Sequence, residues 1–138
     1  MSAAENKGLM QRIFARLAEG DGSLYVDHLH EDAVMVVTGD YSWSGRFEGK
    51  ARILRDLYGH LRNVTSGVSR TVPVRFLADG DWVVVEARGE MRARDGTPYH
   101  NQYCLMYRLE AGMIVEAREY QDSALCERVL GPFPAGQG

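Results

Sequence analysis

The sequence predicts an α+β domain in which helices near the N-terminus pack on one face of an antiparallel sheet. Two observations predict it. Leu9, Met10, Ile13, Phe14 and Leu17 recur at spacings of three and four, the mark of an amphipathic helix. From Thr71 to Asp122 the chain is cut by Asp79-Gly80-Asp81, Asp95-Gly96 and Ala111-Gly112, strong turn chemistry between strand-like runs. Helices grouped before a meander define the class.

The first helix stops at Gly20-Asp21-Gly22, and Ser23 is placed to cap a short second helix through about His30. Ala33 to Thr38 is a compact β-branched run, read as a first strand buried on both faces. A polar loop from Gly39 to Gly49 holds Trp43 and Phe47, and Lys50 to Arg62 reads as a third helix. The long strands of the meander are expected to bend, with Gly89 a bend or bulge point. Ser123 to Leu130 reads as a last helix capped by Asp122. The chain is one domain over 1–138, with a core of about 9–130 and a tail over 131–138 whose Gln137 and Gly138 are expected to fray.

Composition narrows the function. With 138 residues, 45% apolar and 25% charged, the chain can bury one substantial core. A net charge of −3 and the absence of a Lys/Arg run argue against nucleic acid. No apolar run approaches the roughly 20 residues of a membrane helix, so no membrane partner is expected. Lys7 is followed by no hydrophobic stretch, and Cys104 and Cys126 form no paired motif, which makes the cytoplasm the default compartment. His28-x-His30 on a helix end would diverge rather than converge on one ion, and no metal or other cofactor is expected.

The order of elements and three strings resemble the SnoaL-like (ketosteroid-isomerase-like) branch of the nuclear transport factor 2-like superfamily. The strings are Trp43-Ser44-Gly45-Arg46-Phe47-Glu48-Gly49-Lys50, Tyr99-His100-Asn101-Gln102-Tyr103 and Arg118-Glu119-Tyr120-Gln121-Asp122. The resemblance spans about Leu9 to Leu130. It implies a curved antiparallel sheet wrapped around the N-terminal helices as a cone-shaped half-barrel with an internal cavity. It also implies a small, largely apolar organic ligand and a homodimer formed through the outer faces of the sheets. The fold hosts isomerases, cyclases, hydrolases and non-catalytic domains, so the function must be argued from the site.

Glu119 matches the acidic last-strand residue that serves in SnoaL-like cyclases and in limonene-epoxide-hydrolase-like enzymes. Arg88-x-Glu90 resembles the Arg-x-Asp spacing of the latter, and a carboxylate–Arg–carboxylate cluster suits proton transfer. The first strand, with Met35 and Val37, lacks both the hydrolase's water-holding Tyr and Asn and the isomerase's Asp base. Along 82–92, Val83, Val85, Ala87, Gly89 and Met91 point one way and Trp82, Val84, Glu86, Arg88 and Glu90 the other. Tyr99, Asn101, Tyr103 and Tyr107 share one face of the next strand; His100, Gln102 and Cys104 share the other. Which set lines the cavity depends on register and stays open at this point.

The candidate catalytic residues are Glu119, Arg88, Glu86, Glu90 and His100, with His100 able to pair with Glu119 as an acid–base couple. The candidate substrate-binding residues are Tyr25, Trp43, Tyr58, Asn101 and Tyr103. Two readings follow: a cofactor-independent isomerase, cyclase or hydrolase, or a non-catalytic ligand-binding or dimeric accessory domain.

Overall fold

The computed structural model of the chain describes residues 1–135. The expected fraying of Gln137 and Gly138 lies outside the described residues. Helix α1 (Ala3–Leu17) opens with a capping box in which the Ser2 hydroxyl accepts from the Glu5 N–H and the Glu5 carboxylate accepts from the Ser2 N–H. It buries Leu9, Met10, Ile13 and Phe14, the stripe that its periodicity predicts. Helix α2 (Ser23–Asp27) is shorter than expected. Its first N–H is held by Asp21 rather than by a Ser23 cap: the Asp21 carboxylate accepts from both the N–H and the hydroxyl of Ser23. His28 closes α2, and strand β1 (Leu29–Val37) begins at once.

The loop expected from Gly39 to Gly49 contains a strand, β2 (Gly45–Glu48), which pairs antiparallel with β1. The third helix runs as α3 (Lys50–Arg52), a π-helical segment (Ile53–Tyr58) and α4 (Gly59–Val64). Then follow β3 (Thr65–Asp79), β4 (Trp82–Ala93), β5 (Pro98–Tyr99), β6 (Gln102–Glu110), β7 (Met113–Gln121) and α5 (Ser123–Leu130). Asp122 caps α5, its carboxylate accepting from the Leu125 N–H.

The sheet order is β2-β1-β7-β6-β4-β3, with β5 paired to β4. Strands β3, β4, β6 and β7 form the expected antiparallel meander, but β1 joins β7 in parallel, so the sheet is mixed. Bulges supply curvature. In β3, register shifts between Ser66 and Arg70 and between Pro73 and Arg75 lengthen the edge strand relative to β4. Pro73 is tolerated there because an edge strand has one side without ladder partners. The curled sheet and the helices form the half-barrel that the resemblance implies, with a cavity between them.

Register now decides the faces. Val37, Glu119, Leu105, Val85 and Phe76 are successive partners across five strands, so their side chains form one row on the concave face. The next rows hold Met35, Ala117, Tyr107 and Val83 on one side, and Gln121, Tyr103 and Ala87 on the other. Glu119 is therefore a carboxyl inside an otherwise apolar and aromatic surface.

Candidate functional site

The cavity has a volume of about 310 Å³, near the lower end for small-molecule pockets. The sheet contributes Met91, Tyr99, Tyr103, Leu105, Tyr107, Glu119 and Gln121. The helices contribute Phe14, Leu17, Tyr25, Leu54, Leu57, Tyr58 and Leu61 from above, and Cys126 and Leu130 from α5. Trp43 closes one wall, its indole N–H donating to the Gly131 carbonyl at 2.9 Å. Leu57 and Tyr58 are neighbours in the π-helical segment, and both face the cavity.

Glu119 lies beneath the molecular surface, with part of its side chain open to the cavity. Among the described residues its carboxyl has no hydrogen-bond or ion-pair partner, while its backbone carbonyl accepts from the Thr38 N–H and hydroxyl. Burial pushes its pKa up to about 7, because removing water penalises the charged form and no cation restores it. A carboxyl poised there can take or give a proton near neutrality.

Neutral phenols surround it. The hydroxyls of Tyr25 and Tyr58 lie 3.1 Å apart, and the two rings meet edge to face. Burial pushes Tyr25 up to about 12 and raises Tyr58, Tyr103 and Tyr107, and a negative charge on Glu119 adds to each shift. They remain protonated at physiological pH and available as hydrogen-bond donors. Tyr103 is seated by Gly89: a Cβ there would lie 3.2 Å from the ring, so glycine permits the ring to lie against β4. Gly89 also marks where β4 leaves β6 and turns to β5, the nearest equivalent of the expected bend.

A second polar group holds one wall. The Gln121 Nε2 donates to the Tyr41 hydroxyl at 2.7 Å, while its Oε1 accepts from Tyr99 and from Asn101. Asn101 is fully buried; its Nδ2 also donates to Tyr99 and to the Asp122 carbonyl, and its Oδ1 accepts from the N–H groups of Gln102 and Asp122. It braces the wall from behind rather than facing the cavity.

The candidate residues therefore separate. Glu119, Tyr25, Trp43, Tyr58 and Tyr103 converge on the cavity. Glu86, Arg88, Glu90 and His100 do not. The pairing of Val85 and Ala87 with inward residues of β6 turns Glu86, Arg88 and Glu90 to the convex side, where Glu86 pairs with Arg75 at 3.1 Å and Arg88 with Glu90 at 3.3 Å. His100 is exposed beside the buried Tyr99 and Asn101, so it cannot couple to Glu119. Arg62, Tyr99, Gln121 and Cys126 line the cavity without having been singled out. Gln121 carried a signal, since it stands two residues from Glu119 on β7, whereas Tyr99 lies on β5, a separate strand from the β6 that holds Tyr103. Among the described residues, no three His, Cys, Asp or Glu side chains are gathered to hold a metal ion.

The SnoaL-like domain model matches residues 10–117, and the chain belongs to that family. Solved structures agree on the fold. A nuclear transport factor 2-like protein of unknown function from Burkholderia pseudomallei K96243 is 19% identical, with a TM-score of 0.78 over 94% of this chain and 98% of that one. PrhC from Penicillium brasilianum NBRC 6234 is 12% identical, with a TM-score of 0.76 over 92% and 87%. TerC, co-crystallised with polyporic acid, is 21% identical, with a TM-score of 0.76 over 91% and 97%. No curated protein matches the sequence. No helix among the described residues is long and apolar enough to cross a membrane.

Proposed function

We propose that the chain binds a small, largely apolar and partly aromatic organic molecule and transforms it by proton transfer through Glu119, without a cofactor. The observation that carries this reading is a desolvated carboxyl with no protein partner, facing a tyrosine-lined cavity. Such a group is costly to bury, and a purely structural role would have paired it. Glu119 would abstract or donate the proton, while Tyr25, Tyr58, Tyr103 or Tyr107 would donate to the oxygen on which charge develops. Crystals of the structurally similar TerC with polyporic acid support an organic ligand of this kind.

A thermal-shift panel of polyketides, terpenoids and steroids tests binding, since a ligand of the folded state raises the melting temperature. At least one aromatic polyketide is expected to do so. For the compound that turns over, Glu119→Gln should keep binding and lower kcat by about a hundredfold or more. Unchanged turnover in that variant would take the chemistry away from Glu119, binding without any turnover would leave the non-catalytic binding domain as the better reading, and a panel without hits would remove both.

The homodimer is proposed to use the convex face. Val74, Leu77 and Tyr120 are exposed there beside charges of both signs, Arg75, Glu86 and Arg88, so two copies can meet with opposite charges facing. Sedimentation equilibrium should find a dimer in the wild type and a monomer for Leu77→Arg. A wild-type monomer throughout would dispose of this assembly.

A further inference from the structure

The cavity carries a formal positive charge at its mouth as well as its inner carboxyl. Of its lining residues only Gly20 and Arg62 are exposed, and these mark where it opens to solvent. Among the described residues, Arg62 and Glu119 are the only lining residues with ionisable acidic or basic side chains. The Arg62 guanidinium makes no hydrogen bond or ion pair with any described residue; one of its nitrogens lies over Gly59, 3.9 Å from where a Cβ would be. The lining also offers the hydroxyls of Ser69 and Thr71 and the backbone of Gly20 and Gly22, while the hydroxyl of the buried Thr65 donates to the Leu61 carbonyl. Inside, the walls are apolar or phenolic apart from Glu119 and Gln121.

We propose that Arg62 is a specificity residue that selects ligands carrying a carboxylate on the end that stays at the mouth, with an aromatic or apolar body inside. The planar fork of a guanidinium matches a carboxylate with two parallel hydrogen bonds. A single cation with two hydroxyls suits one negative charge rather than a polyphosphate, and the tyrosine walls suit the body. Glu119 would repel an anion placed at the inner end, which orients the ligand with its carboxylate outward. The inference rests on the ligand-binding reading above and adds to it the polarity of the ligand and its direction of entry.

The test compares naphthalene-2-carboxylate with its methyl ester by calorimetry on the full chain at low salt and pH 6. There the acid is ionised while Glu119 is mostly protonated. The wild type should bind the acid about fivefold more tightly than the ester, the size of one partly exposed charge pair. Arg62→Gln should bind both alike, with the ester's affinity unchanged, and Arg62→Lys should retain part of the preference. Because Arg62 also sits in the last turn of α4, where a cation steadies the helix, the readout is the acid-to-ester ratio rather than stability. Equal binding of acid and ester by the wild type, or a preference that survives in Arg62→Gln, overturns the inference alone. Binding of neither probe overturns it together with the ligand-binding reading.

Discussion

The two faces of the sheet are built from the same strands, yet they treat a glutamate in opposite ways. On the convex face Glu86 is exposed and paired with Arg75, and Arg88 and Glu90 pair beside it. On the concave face Glu119 is enclosed by Tyr103, Leu105 and Tyr107, with no cation in reach of its carboxyl. Water and counter-charge surround the first set and make its members nearly interchangeable. Their absence makes the second costly to ionise, and that cost is what holds a proton on Glu119 to near neutral pH. A ladder of alternating charges is conspicuous in a sequence, but a lone acid between apolar neighbours carries more chemical information.

The contrast can be broken by substituting one residue on each face. Glu119 binds its proton more tightly in the folded chain than in the unfolded one, its pKa rising from the ordinary glutamate value of 4.5 up to about 7. Between those values the folded state holds more protons, so its stabilising contribution is complete below pH 4.5 and is lost as pH rises through 7. A shift of that size corresponds to roughly 3 kcal/mol, so denaturant unfolding of the wild type should lose about that much between pH 4.5 and 8 from this group. Glu119→Gln should flatten that part of the profile and be the more stable form at pH 8. Its loss of stability instead, with the slope intact, would place the titrating group elsewhere. Glu86→Gln should change stability by about 1 kcal/mol or less, because its partner is a solvated Arg75. A larger loss would mean that the convex face is more tightly coupled than its exposure indicates.

Much of the fold was legible because its signals are local. The stripe in α1, the turns at Gly80, Gly96 and Gly112 and the Asp122 cap each act within a few residues. The parallel pairing of β1 with β7 joins segments about 80 residues apart and leaves no local trace. Strand β2 was hidden by its glycine and charges, since its stability comes from β1 and from the buried Phe47.

For the site, alternation divided β4 and β6 into the correct sets, but choosing the inner set required the long-range register. Val83, Val85 and Ala87 then compete with Glu86, Arg88 and Glu90 for the core, and desolvation decides it. Strand β7 is harder. Plain alternation separates Ile114 from Glu119, yet both sides of that division face inward, because a register shift past Arg108 inserts one extra residue at Val115. Glu119 sits in the unbroken register from Gln121 to Glu116, and the bulge at Val115, which no local pattern announces, is what brings Ile114 to the same side.

Glu119 is a desolvated carboxyl without a partner among the described residues, in a cavity where it can exchange a proton near neutrality. Carbon-13 NMR titration of the glutamate side-chain carboxyls, with Glu119→Gln to assign the resonance, tests this most directly. Glu119 should titrate with a midpoint of about 7, whereas a midpoint near 4.5 would show a hydrated carboxylate and rule out the desolvated one.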